Sequence, residues 1–117
     1  MSVCTTSTHD MSVLRTWLEE ELTKNNIIGS NLPTTDNCKA ILSQHLASAS
    51  MLAIFPLQDW MSINEDIRHK NPSMERINVP ANSDNYWRYR MHITLEELAT
   101  STKFNNEVIA LIHLFGR

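Results

Sequence analysis

The sequence contains no apolar run approaching the roughly 18 residues that would cross a bilayer, so no spanning helix is expected. It has no excess of positive charge: 10 Lys and Arg stand against 13 Asp and Glu, a net charge of -3, with a pI near 5.9. The electrostatic footprint of a nucleic-acid or anionic-membrane binder is therefore missing, and neither partner is expected. Only two cysteines occur, Cys4 and Cys38, without CxxC or metal-ligand spacing. That removes a disulfide framework and a zinc site from the expectations, and makes a reducing cytoplasm the default compartment. Met1 to Asp10 is polar and lacks the charged and apolar regions of a secretory signal. Internal repeats and low-complexity tracts are absent as well.

What remains is a soluble globular balance. The chain has 117 residues, 42% hydrophobic and 20% charged, enough for one domain with a modest core. Val3 to Thr8 is β-branched, small and polar, and predicts a short strand. Val13, Leu14, Trp17, Leu18 and Leu22 then recur at helical spacing, with Arg15 and Glu19 to Glu21 mostly off that stripe and Glu19 to Glu21 read as a solvated face. The helix should end near Asn25 and Asn26. Pro33 to Asn37 forms a polar connector, and Asp36 is placed to cap a second helix that buries Cys38, Ile41, Leu42, Leu46 and Ala49.

Met51 to Leu57 is a continuous apolar run stopped by Pro56, which fits a strand buried on both faces in a parallel sheet. Gln58-Asp59-Trp60 should open a short helix. Asn64 to Asn85 has no period, and a loop of that length in a small domain is usually functional. Tyr86 to Met91 reads as extended, and Thr94-x-x-Glu97 is a capping box. It opens a helical region with Leu95, Leu98, Val108, Ile109, Leu111, Ile112 and Phe115 on its apolar face and a break near Ser101 to Lys103. Two strands joined through helices make one crossover of a parallel α/β fold. Two strands alone are not a domain, so the chain is expected to borrow the rest of a sheet.

Four motifs occur in order: Val3-Cys-Thr-Thr-Ser-Thr-His-Asp10, Phe55-Pro-Leu-Gln-Asp59, Glu75-Arg-Ile-Asn-Val-Pro80 and Tyr86-Trp-Arg-Tyr-Arg90. Together they resemble the end of a glycoside hydrolase family 77 4-α-glucanotransferase (amylomaltase, disproportionating enzyme), and the similarity runs from Val3 to Arg117. The resemblance implies an α/β fold: the C-terminal portion of a (β/α)8 barrel, residues 1–117 forming part of one catalytic domain. Val3 to Thr8 would be its seventh strand and Met51 to Leu57 its eighth. A whole barrel needs ~250 residues, so the chain reads as a fragment, a truncated reading frame or one part of a split gene.

The resemblance also implies the chemistry, a retaining transfer of α-1,4-glucan segments between maltodextrins without metal or organic cofactor. Such transfer needs a nucleophilic carboxylate and an acid/base around an oxocarbenium-like transition state. In the family both lie upstream of the matched region, so the isolated chain is expected to be inactive. A third carboxylate, at Asp10, would stabilise the transition state by gripping sugar hydroxyls as the ring gains positive charge. His9 would donate to a hydroxyl of the same sugar, Asn78 would approach the glucan, and Arg76 would shape the loop. Gln58 and Asp59 would either reach substrate or cap the next helix.

Each residue also has a plainer role. Asp10 precedes a helix and would serve as its N-cap. Ser7, His9 and Asp10 are too close in sequence to form a hydrolase triad, whose members come from separate segments. His45, His69, His92 and His113 lack metal spacing, and Cys4 is expected to be a small hydrophobe. Tyr86, Trp87 and Tyr89 would stack on sugar or simply pack, while Arg88 and Arg90 would pair with acids that hold the long loop. The alternative function is a non-catalytic, mainly helical remnant or interaction module. Strand edges exposed outside a barrel make self-association of the fragment an expectation.

Overall fold

The computed structural model describes residues 1–27, 29, 32–85 and 87–117. Strand β1 (Val3–Cys4) is followed by helices α1 (Leu14–Lys24) and α2 (Thr35–Leu46), strand β2 (Leu52–Ala53), helix α3 (Leu57–Met61), a single 3-10 turn (Pro72–Glu75), and helices α4 (Leu95–Thr100) and α5 (Thr102–Leu114). The two strands lie parallel, with Val3 opposite Leu52 and Cys4 opposite Ala53. Both are far shorter than the runs that suggested them. Beyond Cys4 and Ala53 no neighbouring strand continues the ladder among the described residues, and a strand exists only as far as its partner does.

The helices form where apolar periodicity and caps agree. Thr34 caps α2: its hydroxyl accepts from the Asn37 backbone N–H at 3.2 Å, and the Asn37 side chain accepts from the Thr34 N–H at 3.0 Å. Asp36, the expected cap, instead lies in the first turn. Thr94 and Glu97 close the expected box on α4. The backbone N–H of Thr94, helped by its hydroxyl, holds the Glu97 carboxyl below the usual carboxylate range. The chain breaks at Ser101, and Phe104, Val108 and Leu111, with Phe115 at the C-cap, then line one side of α5 about one turn apart.

These stripes meet in one core of Leu14, Cys38, Leu42, Leu46, Phe55, Met61, Ile63, Ile67, Phe104 and Leu111. Several expected members lie outside it: Ala49, Leu95 and Ile109 are exposed. Cys38 is fully buried, and that burial raises its thiol pKa; both cysteines are free. Arg117 ties the far end of α5 to the turn before β2, donating to the carbonyls of Leu46 (2.7 Å), Ser48 (2.7 Å) and Ser50 (2.9 Å).

The sheet has one covered face and one bare face. Ala53 and Phe55 pack into the core, whereas Val3, Leu52 and Ile54 are 55%, 46% and 58% exposed. The accessible surface is 7671 Å², against about 6,500 Å² for a self-contained monomer of this mass. The radius of gyration of 14.6 Å likewise exceeds the roughly 13.4 Å of a compact chain of this length. Both values exceed those of a compact monomer, and the apolar face of the sheet is uncovered among the described residues. No helix among the described residues is long and apolar enough to cross a membrane.

Candidate active site

After β1 the chain turns sharply and presents His9 and Asp10 on an exposed loop, closed by a Met11 N–H bond to the Thr8 carbonyl at 3.1 Å. One carboxylate pins that loop from below. Asp59, on α3 and 1% exposed, accepts from the hydroxyls of Thr6 and Ser7 and from the backbone N–H of Leu14. Its bonds grip the chain on both sides of His9 and Asp10. Buried and accepting three hydrogen bonds, Asp59 anchors this loop and the start of α1, whereas the N-cap of α3, the helix it was expected to cap, is Pro56.

The bond to Leu14 also answers the question of Asp10 as a cap. Helix α1 starts at Leu14, its N-cap is Val13, and Val13 offers no side-chain bond. The free N–H at the helix start is satisfied by Asp59 from 45 residues away. Asp10 therefore has no capping role.

Asp10 faces outward, its side chain 57% exposed. Oδ1 accepts from Asn78 Nδ2 at 2.9 Å, and His9 Nε2 lies 3.1 Å from Oδ2. A carboxylate has about four acceptor sites, so these two contacts leave lone pairs turned to solvent. Asn78 is held firmly: it is 7% exposed, its Oδ1 accepts from Asn85 Nδ2 at 3.1 Å, and its carbonyl accepts from Arg76 Nε at 2.8 Å. Arg76 thus shapes the loop, as the motif suggested. Three of the four expected site residues, His9, Asp10 and Asn78, come together although Asn78 is 68 residues from Asp10.

Gln58 does not join them. It is 5% exposed on α3, and no hydrogen bond links it to His9, Asp10 or Asn78 among the described residues. Trp87 stands in the fourth place: its indole centroid is 5.1 Å from that of the His9 ring, tilted by 45°, and the residue is 59% exposed. The aromatic letters of the Tyr86-to-Arg90 motif announced this residue, but alternation alone did not separate a sugar-facing ring from a packed one. No strand forms over residues 87–91, and Tyr86 lies outside the described residues.

The ion pair that holds the long loop was also unexpected. Arg15, which lies off the apolar stripe of α1 in the sequence, is 5% exposed and meets Glu75 at 3.2 Å, with Glu75 1% exposed. Arg15 Nη1 also donates to the His69 carbonyl at 2.6 Å. Burial pushes the Glu75 carboxyl pKa up, against the opposing pull of Arg15. Arg90, expected to supply such a pair, forms none among the described residues.

An exposed carboxylate flanked by an imidazole, a fixed amide and an open indole can hydrogen-bond and stack on a polyhydroxylated ring. A family model described as 4-alpha-glucanotransferase, glycoside hydrolase family 77, matches residues 1–96. The chain is 35% identical to "4-alpha-glucanotransferase DPE2" of Oryza sativa subsp. japonica, covering 100% of this chain and 13% of that protein. It is 30% identical to the 4-alpha-glucanotransferase of Chlamydia trachomatis serovar D, covering 95% of this chain and 23% of the relative. The chloroplastic/amyloplastic 4-alpha-glucanotransferase of Solanum tuberosum is 26% identical over 86% of this chain and 16% of its own length. The chain thus spans less than a quarter of each of these relatives.

Proposed function

Since the chain belongs to the 4-alpha-glucanotransferase family, we propose that it forms one wall of an active site that transfers α-1,4-glucan segments between maltodextrins. The observation that carries this reading is the 2.9 Å bond from Asn78 to the exposed carboxylate of Asp10, beside His9 and Trp87. In the proposed mechanism Asp10 accepts hydrogen bonds from hydroxyls of the sugar at the scissile bond. Its charge is worth most when that ring is oxocarbenium-like, so its effect falls on the transition state. His9 donates to the same sugar, and the Asn78 loop lies against the bound chain. Gln58, buried beneath the loop, acts only as support.

Nucleophile and acid/base belong, on this reading, to a preceding part of a (β/α)8 barrel. The parallel register of β1 and β2 supports their place as neighbouring barrel strands, and the exposed Val3, Leu52 and Ile54 supply the apolar face that the remaining strands would cover. The site residues then follow the C-terminal end of a strand, where barrel enzymes carry their chemistry. Alone, the chain lacks the groups that attack and protonate, so it is inactive. The reaction calls for no metal or organic cofactor, and the two free thiols suit a reducing compartment such as the cytoplasm.

A chimera tests the proposal: this chain replaces the matching stretch of the Chlamydia trachomatis relative, and glucose release from maltotriose is followed. A folded chimera should disproportionate maltotriose, and the isolated chain should not. A chimera with an intact circular dichroism spectrum but no turnover would overturn the reading in favour of a non-catalytic helical module.

A further inference from the structure

Trp87 is 59% exposed, although tryptophan is highly buried on average. This is not the exposure of a loose surface residue, because the segment is tied to the site from two sides. Its indole meets the His9 imidazole at a centroid distance of 5.1 Å, and His9 Nε2 lies 3.1 Å from Asp10 Oδ2. On the other side, two residues before Trp87, Asn85 Nδ2 donates to Asn78 Oδ1 at 3.1 Å and to the Ile77 carbonyl at 3.4 Å. Asn78 in turn donates to Asp10 Oδ1 at 2.9 Å. The contacts run in a circuit from Asp10 through Asn78 and Asn85 along the chain to Trp87, and back through His9 to Asp10.

The circuit carries two kinds of surface. Asp10, Asn78 and His9 offer hydrogen-bonding atoms, and the indole offers a flat apolar area that the His9 contact covers only in part. A pyranose ring has the same division: hydroxyls radiate from its edge, and its C–H groups make an apolar face that suits an aromatic ring. An acyclic polyol has the hydroxyls without the face, and an apolar peptide has the face without the hydroxyls.

We infer that Trp87 is a substrate-binding residue that stacks on the apolar face of one glucose unit while Asp10 takes hydroxyls of the same chain. The inference rests on the glucan reading for the identity of the ligand, and adds to it the group that demands a cyclic sugar. Trp87 makes and breaks no bond. A stacking contact is made alike with the ground state and the transition state, so it acts on affinity and on the choice of ligand.

The test follows the Trp87 indole N–H and the Asn78 side-chain amide by nuclear magnetic resonance while maltoheptaose is added to the purified chain. Both signals should move, whereas that of Trp60, packed against Phe55, should not. Trp87→Ala should weaken binding roughly 3–10-fold, the range for one aromatic contact. Trp87→Phe, which keeps a ring, should lose less. Sorbitol, a polyol without a ring face, should leave the Trp87 signal in place. A shifted Asn78 amide beside an unmoved Trp87, or unchanged affinity in Trp87→Ala, would overturn the inference and leave the glucan reading standing. An equal response of Trp87 to sorbitol would overturn it too. If no signal moves with maltoheptaose, the inference falls, and the chimera decides the glucan reading separately. Should Trp87→Ala not fold, Trp87→Phe and the wild-type shifts decide.

Discussion

Asp59 closes the start of α1 by accepting the Leu14 N–H at 2.9 Å, a capping bond that reaches across 45 residues. The same carboxylate also takes the hydroxyls of Thr6 and Ser7. Asp59→Ala would strand three donors, two of them buried, and we expect a loss of about 3 kcal/mol, or roughly 10 °C or more in Tm. Asp10→Ala, on an exposed side chain with no capping duty, should stay within about 0.5 kcal/mol of wild type. Thermal unfolding of the two variants side by side measures the contrast. Equal losses would mean that the anchor has been misassigned.

The Arg15–Glu75 pair should behave as a buried ion pair whose halves need each other. Either single alanine variant is expected to cost about 3–5 kcal/mol, because it leaves a buried charge without its partner. A double variant with apolar side chains of similar volume should be more stable than either single. The pH dependence follows from the raised carboxyl pKa of Glu75. A folded pKa above the unfolded one means that the native state binds the proton more tightly. The stabilisation is complete below the unfolded value and is lost as pH rises through the folded one. The Tm difference between wild type and Glu75→Gln should therefore change across the window above the ordinary carboxylate value. A difference independent of pH there would contradict the assignment.

Within the active chimera, Asp10→Asn should lower kcat about 10²-fold or more while leaving maltodextrin affinity comparatively intact. The amide keeps the shape and removes the charge that strengthens bonds to a cationic ring. Asn78→Ala should instead raise KM with a smaller effect on kcat. Steady-state kinetics on both variants checks the split. Near-normal kcat in Asp10→Asn would reduce Asp10 to a binding residue.

The bare sheet face should make the purified chain self-associate. Val3, Leu52 and Ile54 expose apolar surface beside open strand edges. Sedimentation should show oligomers that Leu52→Lys and Ile54→Lys reduce. A monomer at all concentrations, with a cooperative unfolding transition, would favour an autonomous module.

What the sequence revealed was what short-range chemistry controls. Apolar spacing and the Thr94–Glu97 box located the helices, because period and cap act within a few residues. The strands were overextended because β1 and β2 end where pairing ends, which no run of Val or Ile can indicate. The burial of Arg15 was not legible because its partner is 60 residues away, and a helical stripe has no letter for a buried guanidinium. At the site, family motifs singled out His9, Asp10 and Asn78, which the fold brings into one place. They also named Gln58, which is buried on α3, and left Trp87 undecided because its meaning depends on the ring across from it. The same limit applies to Asp36 and Thr34: both are good capping residues, and only the observed helix start chooses between them.

The parallel pairing of Val3 with Leu52 carries a consequence for the order of folding. Joining two strands 49 residues apart costs roughly 3 kcal/mol in chain closure, while two residues per strand return only a few hydrogen bonds. Such a sheet cannot nucleate the fold. It forms after α1 and α2 have packed and brought its strands within reach. Asp10 meets Asn78 across a still longer stretch, so the site should be among the last features to assemble during folding and among the first to open when the protein breathes.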